Sequence, residues 1–195
     1  MSKIRLGVLG GTFDPIHNGH LFAANEAAAL LNLDQVIFVP TAESWQKAEF
    51  SDAKLRLKMT QLGIRGNKKF KISSVDIKRG GATYTVDTLV DLQKKYPDAQ
   101  LVFILGADAV AGMDSWKNAE QLGELAEFVA ISRPGYSFEQ PKSLKAPVLR
   151  LEIPALAISA SEIRERVKAN KPIEYLVPPA VAKFILKHRL YRGNK

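Results

Sequence analysis

The chain has 195 residues, 46% of them apolar and 25% charged, and a formal net charge of +8. That balance suits one folded domain, with at most a small C-terminal addition, and excludes disordered and fibrous classes. The absence of cysteine excludes disulfides and thiolate metal sites, and no apolar run nears the roughly 20 residues of a membrane span.

The opening Met1-Ser2-Lys3 lacks the apolar core of a signal peptide, so a cytoplasmic protein with no membrane partner is expected. The basic residues are scattered, with only short clusters such as Lys68-Lys69 and Lys94-Lys95. Aromatics do not alternate with them, so nucleic acid is not the expected partner. A positive surplus equally serves polyphosphate substrates.

Taken in order, Ile4 to Leu9 is an apolar run and predicts a buried first strand. Leu21, Ala24, Ala28 and Leu31 recur at helical spacing and predict a first helix. Gln35 to Val39, closed by Pro40, predicts a second strand. A polar segment, Thr41 to Phe50, follows. Ser51 reads as the N-cap of a helix with Leu55, Met59 and Leu62 on its inner face, ending near Gly63 and Gly66. Phe70 to Ile77 alternates and predicts a strand, and Arg79-Gly80-Gly81 a turn. Val86, Leu89 and Val90 start a helix that stops before Pro97. Leu101 to Leu105 predicts the central strand. A helical stretch at 119–124 leads to a strand at Phe128 to Ile131. Pro134 to Pro147 is a polar surface connection. Val148 to Ile153 is a last strand, and two helices finish the chain. Strands alternating with helices predict an α/β fold, doubly wound on a mainly parallel sheet. Ligands of such sheets bind beyond the strands' carboxyl ends.

The stretch joining the first strand to the first helix is Gly10-Gly11-Thr12-Phe13-Asp14-Pro15-Ile16-His17-Asn18-Gly19-His20. His17 and His20 stand at i, i+3 on a helix start, where backbone N–H groups lack partners. Imidazole donors, open amides and a positive dipole end describe a phosphate site. Neither a P-loop nor the dinucleotide G-x-G-x-x-G can be read here. Near the C-terminus, Ser159 and Glu162 fit a capping box. They leave Ser161 in the first turn and Arg164 just beyond, a second candidate anion site.

These motifs resemble the H-x-G-H nucleotidyltransferases, and G-G-T-F-D-P-I-H-N-G-H-L resembles the bacterial nicotinate-nucleotide adenylyltransferase family. Ile158-Ser159-Ala160-Ser161-Glu162-Ile163-Arg164 is similar to that family's I-S-S-T-x-I-R signature, with Ala160 and Ser161 departing from it. Tyr84-Thr85-Val86-Asp87-Thr88-Leu89, Leu105-Gly106-Ala107-Asp108 and Ser132-Arg133-Pro134-Gly135 resemble its Y-T-x-D-T-L, L-G-x-D and S-R-P-G elements. Ser44-Trp45-Gln46-Lys47 resembles an actinobacterial variant of its P-P-H-K stretch.

The resemblance implies a Rossmann-like nucleotidyltransferase domain over 1–195, with a helical C-terminal part from about 155. It implies adenylyl transfer from ATP to nicotinate mononucleotide, with Mg²⁺ on the phosphates. His17 and His20 would be catalytic. Gly10, Gly11, Thr12, Phe13, Gly106, Asp108, Ser132, Arg133, Ser159, Ser161 and Arg164 would join them in binding ATP. Asp14, Lys47, Tyr84, Thr85, Asp87 and Trp116 would bind the mononucleotide. A homo-oligomer is compatible with the sequence.

The mononucleotide phosphate is already an anionic nucleophile, so no activating base is required. Three rivals fit less well. A phosphopantetheine-type acceptor does not explain Y-T-x-D-T-L and Trp116. A class I aminoacyl-tRNA synthetase would need K-M-S-K-S and an anticodon-binding part. A basic RNA-binding module would explain the charge alone.

Overall fold

The structure is a computed structural model that describes residues 3–44 and 51–192. Its centre is a six-stranded sheet of β1 (Arg5–Gly11), β2 (Gln35–Pro40), β4 (Phe70–Ile72), β6 (Gln100–Gly106), β7 (Glu127–Ser132) and β8 (Leu149–Glu152). The order is β4-β2-β1-β6-β7-β8, and every pairing is parallel. The chain winds outward from β1 in one direction, then returns to β6 and winds in the other. The strand order therefore reverses between β1 and β6, which opens a crevice beyond their carboxyl ends. This is the doubly wound sheet expected from the sequence.

Helices cover both faces. On one lie α1 (Asn18–Leu30), α2 (Ala53–Gly63), α7 (Ala160–Lys168) and α8 (Pro179–Lys187). Their Ala24, Ala28, Met59, Ile163, Val167, Val181 and Ile185 share a core with Leu9, Phe38 and Ile104. On the other lie α4 (Thr85–Lys95) and the short α5 (Ala107–Val110) and α6 (Leu122–Leu125), which pack Val86, Leu89, Leu92 and Leu122 against Val8, Phe103 and Phe128. Small residues bring α1 close. A Cβ on Gly7 would stand 2.7 Å from Leu33 Cδ1 and 3.0 Å from Ile104 Cδ1, so glycine there leaves room for the side chain that follows α1. No helix among the described residues is long and apolar enough to cross a membrane.

Three local expectations need correction. The strand expected over Phe70 to Ile77 stops at Ile72, and Val75–Arg79 forms the helix α3. Ser73 N–H still donates to Phe38 O at 2.9 Å, but the next ladder bond would require an N–H from Pro40, which has none. Asp76 then turns inward, 2% exposed, and accepts from Arg79 Nη2 at 2.6 Å and Thr88 Oγ1 at 2.8 Å. An i, i+3 ion pair of this kind is a contact that a helix brings together. The N-cap of α2 is Asp52, not Ser51, and its carboxylate accepts from Lys54 N at 2.8 Å. Of the inner face expected for α2, Met59 is buried and Leu62 packs half-buried against the core, but the other buried positions are Arg56 and Thr60 rather than Leu55. A further two-residue parallel pairing, unforeseen in the sequence, joins β3 (Glu43–Ser44) to β5 (Ala82–Thr83).

Candidate active site

The turn after β1 ends in an unusual helix cap. His17 is the N-cap of α1, and His20 is its third residue. His17 Nδ1 accepts from the His20 amide at 3.4 Å, while His20 Nδ1 accepts from the His17 amide at 3.3 Å. Histidines thus fill both halves of a capping box. The rings stack with centroids 3.6 Å apart. Both Nδ1 atoms act as acceptors, so each neutral ring carries its proton on Nε2 and presents that N–H outward. Gly19 is required by the same arrangement, because a Cβ there would lie 3.0 Å from His17 Nδ1.

Burial holds both rings neutral. It lowers the His17 pKa to about 4, and it lowers that of His20 well below the usual value, helped by the neighbouring His17. The histidines therefore supply N–H donors at neutral pH and carry no charge. The sign for stability follows. The unfolded rings take up protons near pH 6.5 and the folded rings do not, so stability is fully present above that pH and falls as pH drops toward 4. For His17 the cost should be about 1.5 kcal/mol between pH 6.5 and 5, and His20 adds to it in the same direction. Denaturant melts at the two pH values, compared with His17→Asn, check this: the variant should show the shallower dependence, and equal slopes would disprove it.

The C-terminal signature closes over this turn. Ile158 lies beside Gly19. Ser159 caps α7 by accepting from Glu162 N at 3.1 Å, half of the expected box, while the Glu162 carboxylate turns 3.8 Å from Arg166 Nη1. Ser161 is exposed, and its Oγ accepts from Arg164 Nη2 at 3.1 Å. Arg164 Nη1 donates to Asp14 O at 2.7 Å, so it bridges α7 to the turn after β1. Phe13 is buried, with φ +48°, and meets His20 edge-on at 5.1 Å. Asp14 sits beneath the turn. Its carboxylate is 2% exposed and accepts from Ser51 N at 3.1 Å and Tyr191 OH at 2.6 Å, so both oxygens are engaged within the protein.

Gly10 and Gly11 end β1, with Thr12 next along the turn. A Cβ on Gly10 would come within 3.5 Å of Phe103, which leads across the crevice to the second group. Trp116 meets Phe103 edge-on at 6.4 Å. Next to it, Lys117 Nζ lies 3.0 Å from Asp87 and 4.7 Å from the centre of the Tyr84 ring. Thr85 opens α4, whose N-cap is Tyr84. Tyr84, Thr85, Asp87 and Trp116 therefore gather on the face of the sheet opposite α1. Gly106 and the exposed Asp108 stand at the end of β6. Arg133 to Tyr136 forms a turn closed at 3.1 Å, with Gly135 at φ +80° beyond the end of β7. Trp45 and Lys47 lie outside the described residues.

Three buried hydroxyls stand at this edge with no hydrogen-bond partner among the described residues: Thr41 beyond β2, Ser73 beyond β4 and Ser132 at the end of β7. An unmet buried hydroxyl costs about 1–3 kcal/mol, so the edge is equipped for a polar ligand or ordered water. Sequence reading missed Thr41 and Ser73 as such groups, together with Arg56, Lys117 and Tyr191. A charged residue on the apolar face of α2 was the available signal for Arg56.

Comparison with known proteins agrees with this geometry. The cytidylyltransferase-like family model matches residues 8–166. A probable nicotinate-nucleotide adenylyltransferase of Corynebacterium kroppenstedtii is 52% identical over 191 residues, covering 96% of this chain and 90% of the relative. One of the same name from Frankia casuarinae is 52% identical over 188 residues, covering 95% and 99%. Among solved structures, the nicotinic acid mononucleotide adenylyltransferase of Plasmodium falciparum, complexed with NaAD, shares the fold with a TM-score of 0.81. The two are 22% identical, over 97% of this chain and 98% of that one. With its stacked histidine cap at the switch point of the sheet and this extent of identity, the chain belongs to the nicotinate-nucleotide adenylyltransferases of the cytidylyltransferase-like family.

Proposed function

We propose that this protein transfers the adenylyl group of ATP to nicotinate mononucleotide, giving nicotinate adenine dinucleotide and pyrophosphate in NAD biosynthesis. The carrying observation is the reciprocal cap of His17 and His20, which aims two neutral N–H donors from a helix start at the switch point. The nucleophile is a phosphate, anionic at neutral pH. The protein must therefore hold two anions together and stabilise charge on the α-phosphate and the leaving pyrophosphate. Neutral donors suit this chemistry, because their hydrogen bonds strengthen as charge develops and they need not lose a proton.

In this reading His17 and His20 contact the α- and β-phosphates. Gly10, Gly11 and Thr12 offer backbone to them, and Phe13 backs the His20 ring. The α7 start, with Ser159, Ser161 and Arg164, holds the rest of the triphosphate. Gly106, Asp108, Ser132 and Arg133 take the adenosine. Tyr84, Thr85, Asp87 and Trp116 take the pyridine end, and Lys47 takes the mononucleotide phosphate. The whole chain, 1–195, acts as one cytoplasmic domain with a helical C-terminal part. No three His, Cys, Asp or Glu side chains gather among the described residues. A Mg²⁺ accompanying ATP would supply further neutralisation of the developing charge.

Pyrophosphate release with ATP, Mg²⁺ and a panel of acceptor mononucleotides tests the reading. Release should depend on nicotinate mononucleotide, and release with a phosphopantetheine acceptor alone would refute it. Within the site, Arg164→Ala should weaken ATP binding and slow turnover together, each by roughly tenfold or more, since a guanidinium on phosphates acts in ground and transition states alike. Unchanged ATP kinetics would reduce α7 to a capped helix.

A further inference from the structure

Beneath the phosphate-binding turn lies a buried polar cluster to which the reaction above assigns no substrate contact. Arg56 is 1% exposed, and its guanidinium donates to three backbone carbonyls from three segments: Thr12 at 2.8 Å, Ala42 at 2.7 Å and Ser51 at 2.9 Å. A guanidinium so deep requires carbonyl partners and a compensating charge. Asp14 supplies the charge, and its carboxylate is held in turn by Ser51 N–H and Tyr191 OH. Burial and the Asp14 charge keep the Tyr191 hydroxyl protonated, so it donates.

The consequence falls on Phe13. Its two neighbours are pinned, Thr12 by Arg56 and Asp14 by Ser51, Tyr191 and Arg164. Between them Phe13 occupies the left-handed region at φ +48°, which a bulky residue keeps only where its surroundings over-determine it. Its ring is thereby set edge-on against His20. We propose that Arg56, Asp14 and Tyr191 are positioning residues for adenylyl transfer. They clamp Thr12 and Asp14, hold Phe13 in its left-handed conformation, and so fix the His20 ring against the phosphates. A tyrosine 177 positions along the chain from Asp14 thus becomes part of the catalytic apparatus. The proposal rests on the function given above.

Two conservative variants test it. Tyr191→Phe keeps the ring and removes the donor. Arg56→Lys keeps the charge and removes the fork. Each is compared with the wild type by thermal melting, by steady-state kinetics, and by amide hydrogen exchange at Thr12, Phe13 and Asp14, with Val181 to Ile185 as the internal reference. In folded variants, exchange in the turn should quicken by about tenfold or more while the reference residues keep their rates. The kcat should fall by about tenfold, with KM for ATP moving less than about threefold, as misplacement of a catalytic group predicts. If Arg56→Lys does not fold, Tyr191→Phe alone decides. Unchanged exchange in the turn, or kcat within about twofold of wild type, would overturn the proposal. A wild type without transfer activity would defeat the functional reading alone, and the exchange rates would then decide whether the clamp exists.

Discussion

Replacing His20 by alanine should lower kcat by about a hundredfold or more while ATP affinity changes little, because its N–H acts most strongly on charge that appears in the transition state. The geometry adds a structural cost. The ring caps the His17 amide and stacks on the His17 ring, so its removal should also cost about 1 kcal/mol of stability. The two effects can be separated. His20→Asn retains an acceptor where Nδ1 stood and loses the outward Nε2–H. Stability should recover in His20→Asn while kcat stays low. Steady-state rates and denaturant melts on both variants provide the check, and near-normal turnover in either folded protein would remove His20 from the catalytic role.

The second large effect concerns the acceptor. Nicotinate and nicotinamide mononucleotides differ by a carboxylate against a carboxamide of nearly the same shape. The carboxylate only accepts hydrogen bonds, while the amide must also place two donors. At the pyridine end proposed above lies the start of α4, where the dipole is positive and Asp87 sits in the first turn. The Lys117 ammonium stands there too, between Tyr84 and Asp87. The dipole favours the acid, and Lys117, paired with Asp87, offsets the charge of that carboxylate. Stacking on Trp116 would serve either ring alike. An amide there would leave buried donors unmet at about 1–3 kcal/mol each. The acid should therefore be preferred by roughly a hundredfold or more in kcat/KM. Parallel assays with the two acceptors measure this directly, and equal values would show a pocket indifferent to charge.

What the sequence determined by itself was whatever local patterning controls. Apolar runs closed by glycine or proline marked β1, β2, β6 and β7, and their alternation with helical periodicity implied parallel winding. Spacing placed His17 and His20 on one face of a helix start, and Ser159 one turn ahead of Glu162. All of these depend on neighbours within a turn or a strand. Where a long-range partner decided, local reading failed. The alternation over Phe70 to Ile77 reads as a strand, but Pro40 on the adjacent strand ends the ladder and Thr88 helps draw Asp76 inward.

Only the tertiary structure could decide the rest. The charge state of the histidines is one case. Their spacing implied donors without saying whether the rings are charged, and burial and the mutual Nδ1 bonds make them neutral. Asp14 is another: its place in the motif does not say which partners its carboxylate meets, and the fold sets it against Ser51 and Tyr191. Arg56 is the third: its place beside the apolar face of α2 is a local signal, but only the fold supplies the three carbonyls from separate segments that make its burial tolerable. The physical reason is common to all three. Desolvation, and the partners that offset it, come from residues distant in the chain, and no local pattern records them.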